Sequence, residues 1–464
     1  MSPFTHKSAK HTISIPQSFD EALQSFVNRD IYAASKELIF NDNPFRRPLL
    51  NDEFNGWPMD SEYTLDELTS NESLVANRVI LSIYEQDYVF LPRSNLANQL
   101  DDFKQFYDRD ARVPGEIIAC ELEKLLFSSV SNTVHISGDW DLKSFEAYFE
   151  DFKQNFRAEK FAELMQFIST MRDPQAGAKM FLVQMAGDFL VEASAMARNL
   201  GGNYGSAQSE LFKVIIDECG YGVFQTKHST MFESVLKSQN LHHIPHAYWQ
   251  LYLPTSMYLN NYYNYICRDH AKVFRYFGAI LQVETAFQTT CELMIGMMKS
   301  VFGTDAHVDY FSEHVKIDGH HSRMVMQKIV VPLIKTHGEF ALKEIVRGFE
   351  ESLVVGDRFT AGLRHQLAWI DRMDQGLDLR QLLVESNNPS LKHAAQGDLC
   401  GTQMANQDIG YQVLSGSLDF IFGVDKHITL RAGESLMIPQ GVLYGVSVVE
   451  DAEYREHRTG VVSP

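Results

Sequence analysis

The chain has little cysteine, no excess of positive charge and no long apolar run. It has five cysteines in 464 residues, none of them in a Cys-x-x-Cys pair, which argues against a disulfide framework and against a thiolate zinc site. Lys and Arg number 41 against 60 Asp and Glu, for a formal net charge of −19, and such a surface repels nucleic acid and anionic lipid. We therefore expect no nucleic-acid partner, and any bound metal should be held by imidazoles and carboxylates.

Signals that would direct the chain to a membrane are also missing from the sequence. The first ten residues are polar, unlike the apolar core of a signal peptide. Uninterrupted apolar stretches such as residues 329–334 are far shorter than the roughly 20 residues that cross a bilayer. We expect a cytoplasmic protein without a membrane partner.

Several metal and nucleotide motifs are absent. The chain contains no Glu-x-x-His and no His-Glu-x-x-His, so a ferritin-like di-iron bundle and a zincin peptidase are both disfavoured. It also lacks a glycine motif for a nucleotide cofactor, so a redox activity needs an external electron donor.

What the sequence does contain divides into three parts. Residues 1–135 mix polar loops with amphipathic helical stretches and show no recognisable chemistry. Residues 136–375 keep an apolar period of three to four positions over about seven long helices, which is typical of a bundle. Residues 376–464 begin in a polar segment and then alternate, which predicts a small β-barrel. Its predicted strands are residues 411–422, 427–430, 435–438 and 446–449. The predicted fold class is therefore mainly α, with an amino-terminal helical region and a carboxy-terminal β domain.

One predicted helix of the central part, residues 310–335, carries a polar stripe. His314, Asp318 and His321 stand at i, i+4 and i+7, which places them within a sector of about 60° on an α-helix. Pro332 should kink or end this helix. Because similar stripes occur on solvated helices, this pattern alone does not establish a site.

Four further residues complete a candidate metal site. Glu192, in a predicted helix of residues 181–197, and Glu284 both lie among apolar neighbours, where a carboxylate is costly to bury unless it is paired or bound to a metal. Glu218 precedes His228 by ten residues, and two glycines between them allow close backbone approach. Three imidazoles and four carboxylates suit non-heme iron or manganese, and four carboxylate charges would balance two divalent ions.

These residues carry a resemblance to a known family. The segment Asp-Glu-x-Gly-x-Gly-x5-His-x3-Phe, which starts at Asp217, and the downstream His-x3-Asp-x2-His resemble the heme-oxygenase-like di-iron oxidases. The resemblance implies a seven-helix bundle that holds two Fe(II) ions instead of heme and uses O2 as co-substrate. The metal-binding and catalytic residues that it implies are Glu192, Glu218, His228, Glu284, His314, Asp318 and His321. The expected partition places Glu192, His228 and His321 on one iron and Glu284, His314 and Asp318 on the other, with Glu218 bridging.

The three-part plan resembles members of that family that oxidise nitrogen and add an amino-terminal helical dimerisation region and a carboxy-terminal cupin. The resemblance implies a homodimer, a small-molecule substrate and two electrons per turnover from an external reductant. The expected activity is N-oxygenation of an amine or guanidine-type nitrogen, in an arginine derivative or a cyclic guanidine such as 2-aminoimidazole. Other members cleave or desaturate C–C and C–H bonds of amino acids or fatty acids. The ligand set does not exclude that chemistry, although the extra carboxylate Glu284 is more typical of N-oxygenating members.

The β domain departs from a metal-binding cupin at its ligand positions. The second cupin motif keeps two glycines and a proline but has Tyr444 at the histidine position. The first motif would end at Gly416, which puts Ile409 at its glutamate position. Its two histidine positions fall on Thr402 and Met404, or on Gln403 and Ala405 with the shorter spacing. We therefore expect no metal in the cupin, and no rearrangement of the oxidised guanidine to an N-nitroso product by a cupin iron.

A third hypothesis is a non-catalytic ligand-binding protein in which the bundle is only structural. It predicts that Glu192, Glu218 and Glu284 pair with Arg or Lys. The His-His-x-x-His segment at residues 242–246 also has a structural interpretation, because Pro245 disrupts it. We expect those histidines on the surface or in a loop.

Overall fold

The computed structural model describes residue 16 and residues 18–49, 64–373 and 389–458. The helices are α1 (Phe19–Val27), α2 (Leu65–Leu68), α3 (Asn71–Tyr84), α4 (Leu100–Phe106), α5 (Arg109–Thr133), α6 (Leu142–Asn155), α7 (Glu159–Thr170), α8 (Pro174–Phe189), α9 (Ser194–Ala197), α10 (Ser206–Glu218), α11 (His228–Ser238), α12 (Pro254–Arg268), α13 (Val273–Phe302), α14 (Asp309–Met324) and α15 (Val331–Arg372). The strands are β1 (Ser390–Ala394), β2 (Leu399–Met404), β3 (Ile409–Gly423), β4 (Lys426–Arg431), β5 (Ser435–Ile438) and β6 (Leu443–Arg458). The predicted boundary at residues 375–376 lies outside the described residues, so the domain limits stay a prediction.

Three long helices form the framework of the central bundle. α13 packs along both α14 and α15, and its crossing with α15 is very close. A Cβ at Gly278 would lie 1.8 Å from the Ile345 carbonyl oxygen, and one at Gly348 would lie 1.9 Å from the Arg275 carbonyl oxygen. Because only glycine permits this approach, the two glycines set how α13, the helix that carries Glu284, sits in the bundle.

The connection between α14 and α15 differs from the predicted kink at Pro332. α14 ends at Met324, and a π-helical turn follows at Val325–Val330. Pro332 then lies in the first turn of α15, where its missing N–H is tolerated. The helical path is broken further on, at Gly338, which has φ 69°.

α3 ties the amino-terminal region to the rest of the chain. Every residue of α3 except Glu72 is buried, because α5, α12 and β2 pack around it. Asn261 donates from Nδ2 to the backbone and side-chain oxygens of Asn77 at 3.0 Å, and Arg78 donates to the side-chain and backbone oxygens of Thr402 at 2.8 and 3.1 Å. The region thus contacts both bundle and β domain, while its part in dimerisation stays a prediction.

The β domain is an antiparallel sheet built on β3 and β6, which pair along most of their length. β1 and β5 flank one end of that pair, and β2 and β4 flank the other, so the long strands run through two four-stranded halves. The pairing register of β3 and β6 shifts around Gly416, which has φ +73° and where a Cβ would lie 2.0 Å from the Asp451 carbonyl oxygen. All four predicted strands lie within observed ones, but β1 and β2 were not predicted.

The helix predicted over residues 181–197 is shorter than its apolar composition suggests. α8 ends at Phe189 and Ala193 has φ 63°, so Glu192 lies in an unwound turn instead of a helix. Asp188 and Glu192 stand at i and i+4, a spacing at which like charges disfavour a continuous helix. The turn lets Glu192 reach α14.

The segment around α8 also has the length and composition of a membrane span. Within Pro174–Leu200, a stretch of 18 residues has a mean hydropathy of 1.3, and 56% of it is buried inside the structure. The expectation that no such segment exists considered only unbroken apolar runs and therefore missed it. Burial of this kind is typical of a core helix in a bundle, so the composition is weak evidence for a membrane anchor.

Candidate metal centre

α14 brings its polar stripe into the core of the bundle. His314, Asp318 and His321 are 3%, 1% and 0% exposed, so the stripe is not a solvated helix face. The other four predicted residues reach it from neighbouring elements. Glu192 comes from the turn after α8 and Glu218 from the end of α10, while His228 starts α11 and Glu284 lies in the middle of α13. The structure therefore brings all seven candidate ligands together, and their binding of a metal stays a prediction.

A glycine loop joins Glu218, at the end of α10, to His228, at the start of α11. Gly220 has φ +60°, and a Cβ there would lie 2.5 Å from the backbone nitrogen of Lys227, so only glycine lets the loop fold back this tightly. The fold-back puts Nδ1 of His228 2.6 Å from Oε2 of Glu218. A separation of ten residues in the sequence thus becomes direct contact.

The potential ligand atoms form two groups that share Glu218, with the atoms of each group within 4.8 Å of one another. The first group comprises Glu192, Glu218, His228 and His314, and the second comprises Glu218, Glu284 and His321. Oε2 of Glu218 is 3.9 Å from Nε2 of His314, whereas Oε1 of Glu218 is 3.8 Å from Nδ1 of His321. Asp318 adjoins the second group, with its Oδ1 3.9 Å from Nδ1 of His321.

This grouping agrees with a bridging carboxylate and contradicts the expected partition of the two α14 histidines. His314 lies in the group of Glu192 and His228, and His321 lies in the group of Glu284. Two residues seven positions apart are separated by about 10 Å along a helix axis, so each imidazole meets the elements packed at its own level. The family resemblance indicated which residues are ligands, but not at which height along α14 each of the other elements packs.

Neighbouring groups that the sequence analysis did not identify orient the two imidazoles. Nδ1 of His314 lies 3.0 Å from the Tyr310 carbonyl oxygen, which leaves Nε2 facing the first group. The roles of the two ring nitrogens are exchanged in His321. Its Nε2 lies 2.9 Å from Oδ2 of Asp217, and its Nδ1 faces the second group, 3.2 Å from Oε2 of Glu284. An acceptor at one ring nitrogen determines which nitrogen is free for a metal. Asp217 stands next to a predicted ligand and is the first residue of the motif that carries the resemblance, and these two signals could have identified it.

The carboxylates of the cluster have imidazoles, and no Lys or Arg of the described residues, as potential cationic partners. Within the described ranges its four carboxylates form no ion pair with Lys or Arg, and their contacts are to histidines and to the hydroxyl of Tyr310, which donates to Glu192 at 2.8 Å. Both carboxylate oxygens of Asp318 are buried without a hydrogen-bond donor. Burial, and then the charge of Glu284, raise the pKa of Asp318 to about 9. Without a metal this carboxyl therefore keeps a proton near neutral pH, and a divalent cation held by such mixed nitrogen and oxygen donors would take the place of that proton. For the described residues, the hypothesis that these carboxylates pair with Arg or Lys is wrong.

A cavity of about 260 Å³ adjoins this cluster. Glu192, Glu284 and His314 contribute to its wall, and most of the remainder is apolar, including Met185 and Phe287. A second cavity of about 430 Å³ shares some of these apolar side chains and extends to the loop before α7. The cluster is therefore accessible from a space large enough for a small molecule.

In the β domain, the position where a metal-binding cupin has a histidine ligand is occupied by a tyrosine. Tyr444, at the cupin histidine position, and Tyr411 are buried and hydrogen-bond to each other through their hydroxyl oxygens at 2.9 Å. Gln403 is the cross-strand partner of Tyr444, so it shares that face of the sheet, whereas Thr402 contacts Arg78 of α3. Among the residues that the structure describes, no group of three potential metal ligands includes this domain. The absence of a cupin metal stays a prediction.

Known proteins match the chain over the bundle and over almost its full length. Residues 179–357, which contain all seven candidate ligands, match a family described as iron-containing redox enzyme. The nitrosourea synthase of Streptomyces achromogenes subsp. streptozoticus is 36% identical over 448 residues, which cover 95% of this chain and 95% of that protein. The chain belongs to the heme-oxygenase-like di-iron oxidases. As a member of this family of iron-containing redox enzymes it is an oxidoreductase, and iron is the metal that its candidate ligands are expected to hold.

The predicted fold class is confirmed for this family member: a mainly helical chain with a heme-oxygenase-like domain and a carboxy-terminal antiparallel sheet. A solved cupin-2 domain protein from Shewanella frigidimarina NCIMB 400 matches 19% of this chain and 99% of its own, at 18% identity and a TM-score of 0.14. So low a score bears on neither the fold nor the function.

Proposed function

We propose that this heme-oxygenase-like oxidase is an O2-dependent di-iron N-oxygenase. It would hydroxylate or further oxidise an amine or guanidine-type nitrogen of a small molecule, such as an arginine derivative or 2-aminoimidazole. The observation that carries the proposal is the buried set of carboxylates and imidazoles around Glu218, which adjoins a cavity. Similarity over nearly the whole chain to a protein named nitrosourea synthase supports nitrogen as the oxidised atom.

The side chains of the site have separable tasks in this proposal. Glu218 directs one carboxylate oxygen to each group of ligands, and Asp217 and the Tyr310 carbonyl hold the two α14 imidazoles in their tautomers. Two Fe(II) ions, when bound, supply the one-electron and O2 chemistry that amino-acid side chains lack. The apolar cavity wall keeps water away from the substrate nitrogen.

The final product of this enzyme would be the compound with the oxidised nitrogen. Because Tyr444 and the other motif positions of the β domain offer no imidazole, the product would leave as an N-hydroxy, nitroso or nitro compound without rearrangement to a nitrosourea. The two electrons per turnover would come from an external reductant, and the enzyme would act as a cytoplasmic homodimer.

The decisive experiment is an anaerobic titration of metal-free protein with Fe(II), followed by rapid mixing with O2. We expect about two irons per chain and a transient visible band whose decay is faster with an arginine analogue or 2-aminoimidazole. Mass spectrometry of the product should then show a new N–O bond. An alkene, an aldehyde or CO2 would instead indicate C–C or C–H chemistry, and absence of iron uptake would contradict the di-iron proposal.

A further inference from the structure

The cavity beside the metal centre contains a carboxylate that the ligand set does not use. Asp188, in the last turn of α8, lines this cavity together with Glu192 and His314. Within the described part of the chain its side chain has no hydrogen bond or ion pair. Burial, and then the charges of Glu192 and Glu85, raise the pKa of Asp188 to about 7. A charged carboxylate in this position requires a cation from elsewhere.

The arginines of this region do not supply that cation. Arg47 Nη1 is 2.6 Å from Glu85 Oε2. Arg198 donates from Nη1 to the Asn264 side-chain oxygen at 2.6 Å and from Nη2 to the Tyr84 carbonyl oxygen at 2.7 Å. If two divalent ions neutralise the four ligand carboxylates, Asp188 is the negative charge that remains on the cavity wall.

A second group on the same wall also has no partner. Tyr276 is 3% exposed, and its hydroxyl makes no hydrogen bond within the described residues. Asn260 reaches the wall across Gly187, where a Cβ would lie 2.9 Å from Nδ2 of Asn260. A buried hydroxyl without a partner is costly, so its position on the wall of the same cavity as an unpaired carboxylate indicates a polar ligand.

We propose that Asp188 binds the cationic end of the substrate, a guanidinium or a protonated amine, and that the Tyr276 hydroxyl hydrogen-bonds the same bound molecule. The inference rests on the proposed function and names the residue that would present a nitrogen to the metal centre. Apolar side chains of the cavity, such as Met185 and Leu259, would contact the methylene chain. A fatty acid would bring a second carboxylate to Asp188, so this site favours nitrogen over fatty-acid chemistry.

The test compares two ligands of nearly the same shape and different charge, L-arginine and the neutral L-citrulline. Their binding is measured by anaerobic calorimetry on the full Fe(II)-loaded chain, and iron is counted in each sample. The variants are Asp188→Asn, Tyr276→Phe and the control Asp357→Asn, which removes a half-exposed carboxylate of the second cavity that pairs with Lys160 at 2.5 Å.

We expect the unaltered protein to bind arginine at least about 10-fold more tightly than citrulline, since a charge-assisted hydrogen bond distinguishes them. Asp188→Asn should reduce that affinity ratio to less than about 3-fold while the iron count stays the same. Tyr276→Phe should lower the affinity for arginine several-fold. Asp357→Asn should change neither the affinity ratio nor the affinity for arginine.

An unchanged ratio in Asp188→Asn, or no preference in the unaltered protein, would overturn the assignment. If Asp188→Asn does not fold, the test rests on the arginine preference of the unaltered protein and on arginine binding by Tyr276→Phe. Arginine affinity that is unchanged in Tyr276→Phe would then count against the site. Arginine preference without iron-dependent O2 consumption would contradict the proposed function and leave the cation site standing.

Discussion

The bundle and the β domain both bury polar side chains, but they differ in whether those side chains have partners. In the β domain the hydroxyls of Tyr411 and Tyr444 satisfy each other at 2.9 Å. In the bundle both carboxylate oxygens of Asp318 and one of Glu192 are buried without a hydrogen-bond partner among the described residues. Because each such atom costs about 1–3 kcal/mol, a cluster of them is expected where a ligand offsets the cost.

A third buried polar cluster shows that charge alone does not mark a ligand site. Glu85 Oε2 lies 2.6 Å from Arg47 Nη1 and 2.8 Å from His246 Nε2, and none of the three side chains is more than 1% exposed. Arg47 also faces the rings of Phe106 and Trp249, at 4.6 and 5.4 Å. His246 lies in a loop, one of the two positions expected for it, and is buried there. The metal centre differs from this cluster because its carboxylates outnumber the available cations.

The largest effect should come from removing one imidazole of the bundle. His314→Ala takes away the imidazole whose Nε2 lies 3.4 Å from Glu192 and 3.9 Å from Glu218, so iron per chain should fall and O2 consumption should drop more than about 100-fold. Elemental analysis and an oxygen electrode measure the two quantities. The matched control is His427→Ala, which removes an exposed histidine of the β domain that contacts Asp419. Equal iron content in both variants would contradict the assignment.

A change in the cluster of Glu85, Arg47 and His246 should alter the stability of the protein and leave its iron content unchanged. Glu85→Gln leaves Arg47 buried without its counter-charge, so the free energy of unfolding should fall by about 3–5 kcal/mol. Urea unfolding measures the loss, and iron per folded chain should not change. A loss of iron at unchanged stability would remove the distinction between the two clusters.

The same cluster predicts the pH dependence of stability. Burial alone would raise the pKa of Glu85, but the charges of His246 and Arg47 outweigh it and hold that pKa below its ordinary value of 4.5. Burial also lowers the pKa of His246 below its ordinary 6.5. Both groups bind fewer protons in the folded than in the unfolded state, so stability should fall as the pH drops below 6.5 and again below 4.5. Urea unfolding at several pH values checks this, and Glu85→Gln should make the decline below 4.5 shallower.

A smaller effect is expected from the carboxylate behind His321. Asp217→Asn weakens the acceptor at Nε2 of His321 and so loosens the orientation of Nδ1, which should reduce Fe(II) affinity about 10- to 100-fold. Competition with a coloured chelator measures the affinity. Asp309→Asn, at the exposed start of the same helix, is the control and should bind iron normally. Equal affinities would show that His321 needs no such support.

The smallest effect is expected inside the β domain. Tyr444→Phe removes one hydroxyl of the Tyr411 pair, so stability should fall by about 1 kcal/mol while iron per chain is unchanged. Thermal unfolding and elemental analysis measure both. A third iron per chain in the unaltered protein that is lost in this variant would show that the β domain also holds a metal.

Ligand chemistry made much of the candidate site predictable. Few residue types bind iron, and a helix period of 3.6 places His314, Asp318 and His321 on one face whatever surrounds them. The two glycines after Glu218 indicated a close turn, and Gly220 does bring the chain back to His228. Four β strands were predicted because alternation is typical of a half-buried sheet, whereas β1, whose first four residues are all exposed, has no such alternation, and β2 was also missed.

The sequence by itself determined which residue types could bind a metal, which of them share a helix face and which regions are helical or extended, because these properties depend on neighbours a few positions away. The tertiary structure alone decided that His314 joins Glu192 and His228, that Asp217 supports His321 and that Asp188 faces the cavity. These relations depend on the level and rotation of each helix, which contacts between distant segments such as Gly278 and Gly348 set. A local period contains no information about such contacts.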